Sequence, residues 1–534
     1  MKRFNTTGVC LSSQHYMVDL TERVKEIKAM IDCGDYFCIN RGRQYGKTTT
    51  LDALKNALAM DYTVFSISFE GIGNTPFTSE ERLCAKFLDL LQRQIKYKAV
   101  SQASENLIKL LDTYCANTAA GVSMDLLGEH ISELCMASTK PVVIMIDEVD
   151  QASNYESFIK FLGMLRSKYL ARMNAPTFQS VILAGIYNIK NLKAKIRHDK
   201  EHQYNSPWNI AVDFDISMEL SENGIAGMLS DYEQDHHTGM DIQKMARLLF
   251  EYTGGYPFLV SRLCQIIDEK PLGHTIIEPS QRWTKEGLLA AEKLLLSETN
   301  TLFDDLTKKV DENPELKSLL YAILFGGEPI RYSPYDKAQS LGLMFNFIKN
   351  MDGFLAVSNR IFETLLYNAF TYEEEKKDRT FGAAVGKERE LFVQDGHLDM
   401  QKVLERFSFH YGDTFEKRRV QRGSRLNEDD ARISFLMFLI PIINGTGHYY
   451  VETGLVDRSR MDVVVDYNGE QFIVELKIWR GEAYHKRGVD QLCGYLDQMH
   501  TDKGYLLTFN FNEKKTPGTH IRQTHDKIIV ECMV

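Results

Sequence analysis

Long apolar runs are missing from this chain of 534 residues. No stretch contains the roughly eighteen consecutive apolar residues of a membrane-spanning helix, so we expect no contact with a membrane. The first twenty residues also lack the apolar segment of a secretory signal. The nine cysteines are scattered from Cys10 to Cys532 without a C-x-x-C pair, which is typical of free thiols in a reducing compartment rather than of disulfides or zinc. The sequence therefore predicts a cytoplasmic protein.

An excess of positive charge is missing as well. The net charge is −10, which excludes a protein that binds nucleic acid through its overall charge. Contacts with DNA would have to come from local basic patches, of which there are two: Lys417, Arg418, Arg419, Arg422 and Arg425, and then Lys477, Arg480, Lys486 and Arg487. The alternative interpretation of each patch is a solvated charged face.

The length exceeds one hydrophobic core and favours two to four domains. We predict a P-loop core at 1–216, a helical lid at 217–300, a helical region at 301–380 and a separate α/β unit at 388–534. The charge run Glu373–Arg379 is predicted to be a linker. In the third segment, Asp352-Gly353 before the apolar run Phe354–Val357 predicts a hairpin, so this region is compatible with a winged helix.

Short apolar runs alternate with helical patterns in the first segment. The runs are Tyr36–Asn40, Thr63–Phe69, Val142–Ile146, Val181–Ile186 and Ile210–Ile216. Continuous apolar strands separated by helices indicate a parallel sheet that is covered on both faces.

A phosphate-binding loop is predicted directly after the first of these strands. It consists of Arg41, Gly42, Arg43, Gln44, Tyr45, Gly46, Lys47, Thr48 and Thr49, and it follows the pattern G-x-x-x-x-G-K-[ST] except at its first position. Main-chain N–H groups would hold the phosphates. We expect Lys47 to reach the β- and γ-phosphates of ATP and Thr48 to bind Mg²⁺. Because Arg41 replaces the first glycine, the alternative is a chance Gly-Lys-Thr at the start of a helix.

Two acids after the strand Val142–Ile146 form the second element of this site. The carboxyl ends of parallel strands face the ligand, so Asp147 would hold Mg²⁺ through water and Glu148 would act as general base. Asn188, after the next strand, and Arg262, in the predicted lid, are further candidates for phosphate contact. For each of these two, a purely structural role is the alternative.

The C-terminal segment contains a second predicted site. Asn468-Gly469 between two apolar runs predicts a two-residue hairpin, which pairs Tyr467 with Glu470 and brings Asp462 opposite Glu475. Two opposed carboxylates favour a divalent cation, Mg²⁺ or Mn²⁺. Lys477 shares the face of Glu475, so the chemistry that fits is metal-assisted hydrolysis of a phosphodiester. The alternative is an exposed hairpin with ordinary surface charges.

Two flanking features support this prediction. Glu428 precedes the apolar helix Ala431–Ile440 and is a candidate for a third metal-binding acid. Gln491 and Tyr495 have the i, i+4 spacing of one helix face, from which Gln491 would touch the site. Each of these is also compatible with an ordinary surface residue.

Both sites resemble those of known families. The loop is similar to that of a bacterial family described as predicted AAA-ATPase-like proteins, in which Arg commonly stands where Arg41 does and Pro stands where Gly42 does. The C-terminal unit resembles the PD-(D/E)XK nuclease superfamily through Asp462, Glu475, Lys477, and a Q-x-x-x-Y helix formed by Gln491 and Tyr495. Met461 replaces the proline of that motif, and Glu428 matches its helix acid only loosely. The resemblance implies an ATPase followed by a nuclease domain.

The predicted fold class is therefore α/β: a P-loop ATPase domain with a parallel sheet, a helical lid, a middle region compatible with a winged helix, and a C-terminal restriction-endonuclease-like domain. We expect ATP hydrolysis coupled to DNA cleavage. A nucleotide-operated switch or scaffold that does not cut, and a DNA-binding motor, are the alternatives. Expected partners are a nucleoside triphosphate and DNA, and self-association into a homo-oligomer stays open.

Overall fold

The computed structural model describes residues 2–100, 103–118, 121–186, 208–272, 279–325, 329–377, 389–422, 428–443, 447–450, 463–468, 470–479, 481–499, 501–510, 518–524 and 526–534. The chain divides into two compact units. The first consists of Met1–Asp304 and Met344–Asn346, and the second of Asp305–Leu343 and Phe347–Val534. No helix among the described residues is long and apolar enough to cross a bilayer.

The first unit is an α/β structure followed by helices. Its strands are β1 (Arg3–Phe4), β2 (His15–Tyr16), β3 (Phe37–Asn40), β4 (Thr63–Ser68), β5 (Val142–Asp147) and β6 (Ser180–Gly185). Its helices are α1 (Thr21–Asp32), α2 (Lys47–Leu58), α3 (Glu80–Lys96), α4 (Glu105–Ala116), α5 (Met124–Ala137), α6 (Glu156–Leu170), α7 (Glu222–His236), α8 (Ile242–Thr253), α9 (Pro257–Glu269), α10 (Pro279–Arg282) and α11 (Lys285–Ser297). Helix α12 (Thr301–Glu312) begins at its end.

Four of the strands form a parallel sheet in the order β3-β6-β5-β4. Their apolar side chains are buried under the helices, as the predicted two-sided cover requires. Helices α3, α4 and α5 begin after Ser79, Ser104 and Ser123, whose hydroxyls accept the N–H three residues later. Because all four strands are parallel, the loops after β3 and β5 emerge at one edge of the sheet.

The fifth predicted strand, Ile210–Ile216, is wrong. Only Val212 makes a parallel bridge, to Phe37 at the start of β3. Beyond it, Asp213 and Asp215 are exposed, while the ring of Phe214 stacks on that of Phe37 at 5.7 Å. One aromatic contact thus replaces a ladder of hydrogen bonds, since the alternating acids favour solvent over a buried sheet edge.

The second unit opens with helices and a hairpin. Helices α13 (Pro314–Phe325) and α14 (Lys337–Met344) precede strands β7 (Ile348–Met351) and β8 (Phe354–Val357). These strands pair antiparallel around Asp352 and Gly353, which confirms the predicted hairpin. Helix α15 (Arg360–Lys377) then runs through most of the charge run predicted to be a linker, so that prediction is wrong. Glu and Lys are good helix formers, and a polar run can continue a helix that already has a packed face.

A mixed sheet of six strands forms the rest of this unit. After α16 (Arg389–Phe392), β9 (Val393–Gln394) and β10 (His397–Leu398), helices α17 (Met400–Arg422) and α18 (Glu428–Ile443) lead into β11 (Gly447–Tyr450), β12 (Val463–Tyr467), β13 (Glu470–Ile478), α19 (Glu482–Gln498), β14 (Lys503–Phe509), β15 (Gly518–Thr524) and β16 (Lys527–Met533). The strand order is β11-β12-β13-β14-β16-β15, with parallel pairs between β13, β14 and β16.

The register of the hairpin between β12 and β13 is the predicted one. Tyr467 pairs with Glu470, and two residues further along each strand Val465 pairs with Phe472. Helix α19 packs over the face that carries Ile473, while Phe407 of α17 contacts Phe509 on the other face. The sheet is therefore covered on both sides, and α19 covers the face that carries Val464, Ile473, Leu506 and Ile529.

Candidate functional site

The loop after β3 has the backbone of a phosphate-binding loop. Gln44 and Gly46 have positive φ angles of 54° and 78°, so the chain curls and its N–H groups converge on the inside. Helix α2 begins at Lys47 directly after Gly46, which has no side chain to cap the helix. The first N–H groups of α2 and the positive end of its dipole therefore face the loop, as an anion site requires.

Lys47 is enclosed by this loop. Its side chain is buried, and Nζ donates to the carbonyl oxygens of Arg41 at 3.0 Å and Gly42 at 2.8 Å. Burial lowers the pKa of the Lys47 ammonium, whereas the negative charges of Glu148 and Asp147 oppose that change. A cation is thus held at the centre of the curled backbone, next to two acids.

Thr48 and Asp147 lie side by side although 99 residues separate them. The Thr48 hydroxyl donates to Oδ2 of Asp147 at 2.7 Å, and Oδ1 of Asp147 accepts the N–H of Glu148 at 2.9 Å. A hydroxyl oxygen next to a carboxylate is the kind of oxygen donor pair that Mg²⁺ prefers. The two predicted magnesium ligands therefore fit that ion.

Glu148 has an unusual backbone and an altered acidity. Its φ of 53° is in the left-handed region, where non-glycine residues are uncommon. Burial raises the pKa of its carboxyl group; the charge of Lys47 opposes this, and Asp147, Asp150 and Glu70 raise the pKa further. A half-buried carboxyl group with a raised pKa, close to a phosphate-binding loop, is suited to accepting a proton.

Two side chains of the loop point away from its inside. The guanidinium group of Arg41 donates to the carbonyl oxygens of Asn40 at 2.9 Å and Ile216 at 3.3 Å. Tyr45 is buried, donates to Glu219 at 3.2 Å, and meets the ring of Tyr256 edge-on at 4.6 Å. Only the main chain of these two residues faces the curled loop.

The remaining loop residues have separate surroundings. Arg43 is exposed, and Tyr256 donates to its carbonyl oxygen. Gln44 donates to Thr301 at 3.5 Å, and the Thr49 hydroxyl accepts the N–H of Cys10 at 3.1 Å. The loop is thus fixed by the N-terminal segment on one side and by the helices after residue 217 on the other.

Arg262 is engaged away from the loop. It forms an ion pair with Glu298 at 2.6 Å and donates to Gln265 at 2.7 Å. Its predicted contact with phosphate would require it to leave Glu298. Asn188, the other candidate for such a contact, lies outside the described residues.

A cavity of about 70 Å³ adjoins the start of α2. It is lined by the N-terminal segment at Cys10 and Val18, by Thr50 of α2, and by Met228 and Ser261 of the helices. The walls are mostly apolar, and Gly46 and Thr49 also line the cavity. Sequence patterns did not indicate this cavity, because its walls come from segments far apart in the chain.

In the second unit, Glu475 and Lys477 lie on the face of the sheet under α19. Glu475 is fully buried, and Lys477 Nζ is 2.7 Å from its Oε1. The methylene groups of Lys477 pack against Gly488 of α19. A Cβ at residue 488 would lie 3.2 Å from Lys477 Cγ, which is a tight contact. The helix therefore holds the lysine against the acid.

Gln491 and Tyr495 lie on the inner side of α19. Gln491 Nε2 donates to the Tyr495 hydroxyl at 2.7 Å, and Tyr495 is buried in the same cluster as Ile473 and Leu506. Ile473, Glu475 and Lys477 are two residues apart along β13 and therefore share one face of the sheet. Tyr495 packs on that face, so Gln491 and Tyr495 lie in the same layer as Glu475 and Lys477.

Two predicted residues of this site lie outside the described part of the chain: Asp462, and the side chain of Glu428, the first residue of α18. Arg480 of the second basic patch lies outside it as well. Within the part of the chain that is described, no group of three or more His, Cys, Asp or Glu residues is arranged to hold a metal ion.

A neighbouring pair, Glu531 and His485, has no signal in the sequence. Glu531 of β16 pairs with Leu506, which pairs with Glu475, so these three face α19 in one row. His485 of α19 is 3.3 Å from Glu531, and this contact lowers the pKa of the Glu531 carboxyl, while burial opposes the change. Only the pairing of three distant strands reveals this neighbourhood, so no local motif signals it.

Comparisons with solved structures gave similarities at low sequence identity. The Walker-type ATPase of Pyrococcus abyssi is 14% identical, with a TM-score of 0.46 over 68% of this chain and 99% of that chain. ORC2 of Aeropyrum pernix in ADPNP–ADP complexes is 11% identical, with a TM-score of 0.39 over 70% and 98%. The RuvB Holliday junction branch migration motor of Thermotoga maritima is 12% identical, with a TM-score of 0.31 over 64% and 92%.

A comparison with curated proteins gave no match. A family model does match: the model described as an AAA-like domain covers residues 4–345, well over half of the chain. That range includes the curled loop, the strand ending at Asp147, and the helices of the first unit. The chain therefore belongs to the AAA-like domain family.

Proposed function

We propose that the first unit binds ATP with Mg²⁺ and hydrolyses it. The observation that carries this proposal is the arrangement of a buried lysine inside a curled main chain, with Thr48 and Asp147 in direct contact beside it. Backbone N–H groups and Lys47 would bind the phosphates, and the metal would offset their charge. The cavity lined by Thr50 and Ser261 also borders Gly46 and Thr49 at the start of α2, and we assign it to the base side of the nucleotide.

Hydrolysis, rather than binding alone, is supported by Glu148. Its carboxyl group has a raised pKa and is next to Asp147, so it would orient a water molecule and take its proton. Attack of this water on the γ-phosphorus, with departure of ADP, yields inorganic phosphate. Arg262 would join the site only after exchanging Glu298 for a phosphate oxygen.

Two substitutions test the proposal for ATP. In Lys47→Ala, the loss of the cation should weaken ATP binding by at least about a hundredfold, because a charged hydrogen bond to phosphate contributes about 3 kcal/mol. In Glu148→Gln, ATP should still bind with a Kd within about threefold of the wild type, while the kcat should fall about a hundredfold or more. Binding is measured by titration calorimetry and turnover by phosphate release. Unchanged kcat in Glu148→Gln would contradict the role of this residue.

We also propose that the second unit carries a metal-dependent nuclease site that acts on DNA. The observation that supports it is the contact of Glu475 with Lys477 under a helix that presents Gln491 and Tyr495 to the same layer. Asp462 and Glu475 would hold Mg²⁺ or Mn²⁺, with Glu428 as a third ligand, and Lys477 would orient the attacking water and stabilise charge on the phosphate. Lys486 and Arg487, both exposed on α19, would meet the DNA backbone.

Cleavage of supercoiled plasmid with Mg²⁺ or Mn²⁺ tests this second proposal. The wild type should nick the plasmid, and Glu475→Gln and Lys477→Met should each lower the rate by about a hundredfold or more. Glu475→Gln removes a negatively charged metal ligand, and Lys477→Met removes the cation that stabilises charge on the phosphate. Lys527→Met, on β16, is the control and should cleave as the wild type does. Melting curves establish that the variants are folded.

A nucleotide-operated switch or scaffold is the second candidate, and one observation favours it: the Glu475 side chain is fully buried. A carboxylate that no ion can reach would serve as a structural partner of Lys477. This candidate is favoured over the nuclease if the protein binds ATP but the wild type, Glu475→Gln and Lys477→Met all fail to cleave DNA.

A further inference from the structure

The turn after β5 places Glu148 in a conformation that its neighbours must maintain. Residues Val149–Gln151 form a single 3₁₀ turn directly after Glu148, whose φ and ψ are 53° and 41°. Left-handed backbone is sparsely populated for a side chain of this size, and it persists where surrounding contacts fix it. The direction of the Glu148 side chain therefore depends on the contacts of this turn.

Three of the hydrogen bonds of this turn involve the main chain of Glu148 or the carboxyl group of Asp150. Two are local: Asp147 Oδ1 accepts the N–H of Glu148 at 2.9 Å, and Gln151 donates its N–H to the carbonyl oxygen of Glu148 at 3.2 Å. The third reaches another strand, because Asp150 Oδ2 accepts the N–H of Ile186 at 2.5 Å, just past the end of β6. Asp150 thus ties the turn to the neighbouring strand of the sheet.

The peptide group that Asp150 binds also contacts the phosphate-binding loop. It joins Gly185 and Ile186; its N–H donates to Asp150, and its carbonyl oxygen accepts the N–H of Arg41 at 3.1 Å. Since a peptide group is planar and rigid, one plane connects the start of the loop to the turn that carries Glu148. Movement of Asp150 away from this plane would release Glu148 from its position relative to the loop.

Gly185 leaves just enough space for this contact. A Cβ at this residue would lie 2.9 Å from Asp150 Oδ2 and 2.9 Å from Val149 Cγ2. Both distances are shorter than van der Waals contact permits, so the carboxyl group of Asp150 occupies the space that a side chain would need. The contact of Asp150 with the peptide group therefore requires glycine at residue 185.

We propose that Asp150 is a positioning residue for ATP hydrolysis: by binding the Gly185–Ile186 peptide group, it fixes the turn that aims Glu148 at the γ-phosphate held by the loop. This inference rests on the proposed role of Glu148 in hydrolysis. Asp150 touches neither nucleotide nor water in this role. It acts through the main chain of the turn.

Three variants separate positioning from charge and from folding. Asp150→Ala removes the acceptor and should lower kcat about tenfold to a hundredfold, the loss that a displacement of about 1 Å brings, with the Kd for ATP within about threefold of the wild type. Asp150→Asn keeps an oxygen acceptor and should restore most of kcat. Gly185→Ala should lower kcat as Asp150→Ala does, because its methyl group pushes the carboxyl group off the peptide. Gly163→Ala, where a Cβ meets nothing within 4 Å, is the control and should turn over as the wild type does.

Turnover is measured by phosphate release and binding by calorimetry, alongside Glu148→Gln. If Asp150→Ala keeps the wild-type kcat while Glu148→Gln is inactive, the positioning role of Asp150 is wrong and the proposed hydrolysis still holds. Parallel loss of ATP affinity and kcat in Asp150→Ala would overturn it too, since that result indicates a general structural role. Absence of any turnover in the wild type would overturn the proposed hydrolysis, and this inference with it.

Discussion

At the scale of the residue, Tyr45 shows that a loop built for phosphate is also a packing element. Its ring is 2% exposed and lies edge-on against Tyr256, and burial raises the pKa of its hydroxyl, with the charge of Glu219 adding to the change. The side chain points away from the inside of the loop, so its contribution is to stability rather than to phosphate binding.

Substitution of Tyr45 should therefore destabilise the first unit. Tyr45→Ala should lower its free energy of unfolding by about 3–5 kcal/mol, as for other large buried rings. Tyr45→Phe removes the hydrogen bonds with Glu219 and Asn346 and should cost about 1–3 kcal/mol. Tyr97, which is 71% exposed in the same unit, provides the control, and Tyr97→Ala should stay within about 0.5 kcal/mol of the wild type. Denaturant unfolding checks this; equal effects of Tyr45→Ala and Tyr97→Ala would contradict it.

Residue positions that follow from the chain direction were accessible from the sequence, but side-chain directions were not. The order strand, loop, helix and strand-end acid places Lys47, Thr48 and Asp147 together, because parallel strands end at one edge. The partner of Arg262 is Glu298, and the Tyr45 side chain points away from the loop towards Glu219. Both contacts depend on how segments that follow the sheet in sequence pack in the first unit. No local spacing contains that information.

At the scale of the element, helix α19 contains two glycines with opposite surroundings. Gly488 is buried against the methylene groups of Lys477, whereas a Cβ at the exposed Gly494 would meet nothing within 4 Å. A glycine inside a helix costs about 0.5–1 kcal/mol relative to alanine. At Gly488 this cost is offset by the close approach of the strand to the helix.

The two glycines form a matched pair for an experiment. Gly494→Ala should raise the free energy of unfolding by about 0.5–1 kcal/mol and leave plasmid cleavage unchanged. Gly488→Ala should gain less stability and lower the cleavage rate, because the new methyl group displaces Lys477 from Glu475. Unfolding in denaturant and a nicking assay measure the two effects. If Gly488→Ala gains as much stability as Gly494→Ala and still cleaves normally, the helix does not position the lysine.

Elements with a strong period or a strong turn signal were predictable. The register of β12 and β13 followed from Asn468 and the alternation of apolar residues, since a two-residue turn fixes every later pair. The segment Ile210–Ile216 failed because its acids oppose a buried edge, and Glu373–Arg379 failed because a helix already under way can continue through charged residues. In both cases tertiary context decided what a local pattern left open.

At the scale of the whole molecule, the family match and the parallel sheet agree for the first unit. The second unit has a mixed sheet, so its strands could be recognised one by one, but the pairing of β14 with β16 could not. Parallel strands that are far apart in sequence are not joined by a short turn, so no local sequence signal predicts that they pair. The row formed by Glu475, Leu506 and Glu531 was hidden for this reason.

The two carbonyl oxygens that receive Lys47 have a consequence for repeated turnover. When the triphosphate that we propose for this site leaves, the ammonium group of Lys47 can return to the two carbonyl oxygens of its own loop at 2.8–3.0 Å. The buried charge of Lys47 then keeps hydrogen-bond partners. When the next triphosphate binds, Lys47 exchanges these carbonyl oxygens for phosphate oxygens. The contribution of Lys47 to the binding free energy is then the small difference between the energies of two sets of hydrogen bonds. A loop of this kind can be emptied and refilled many times without being rebuilt.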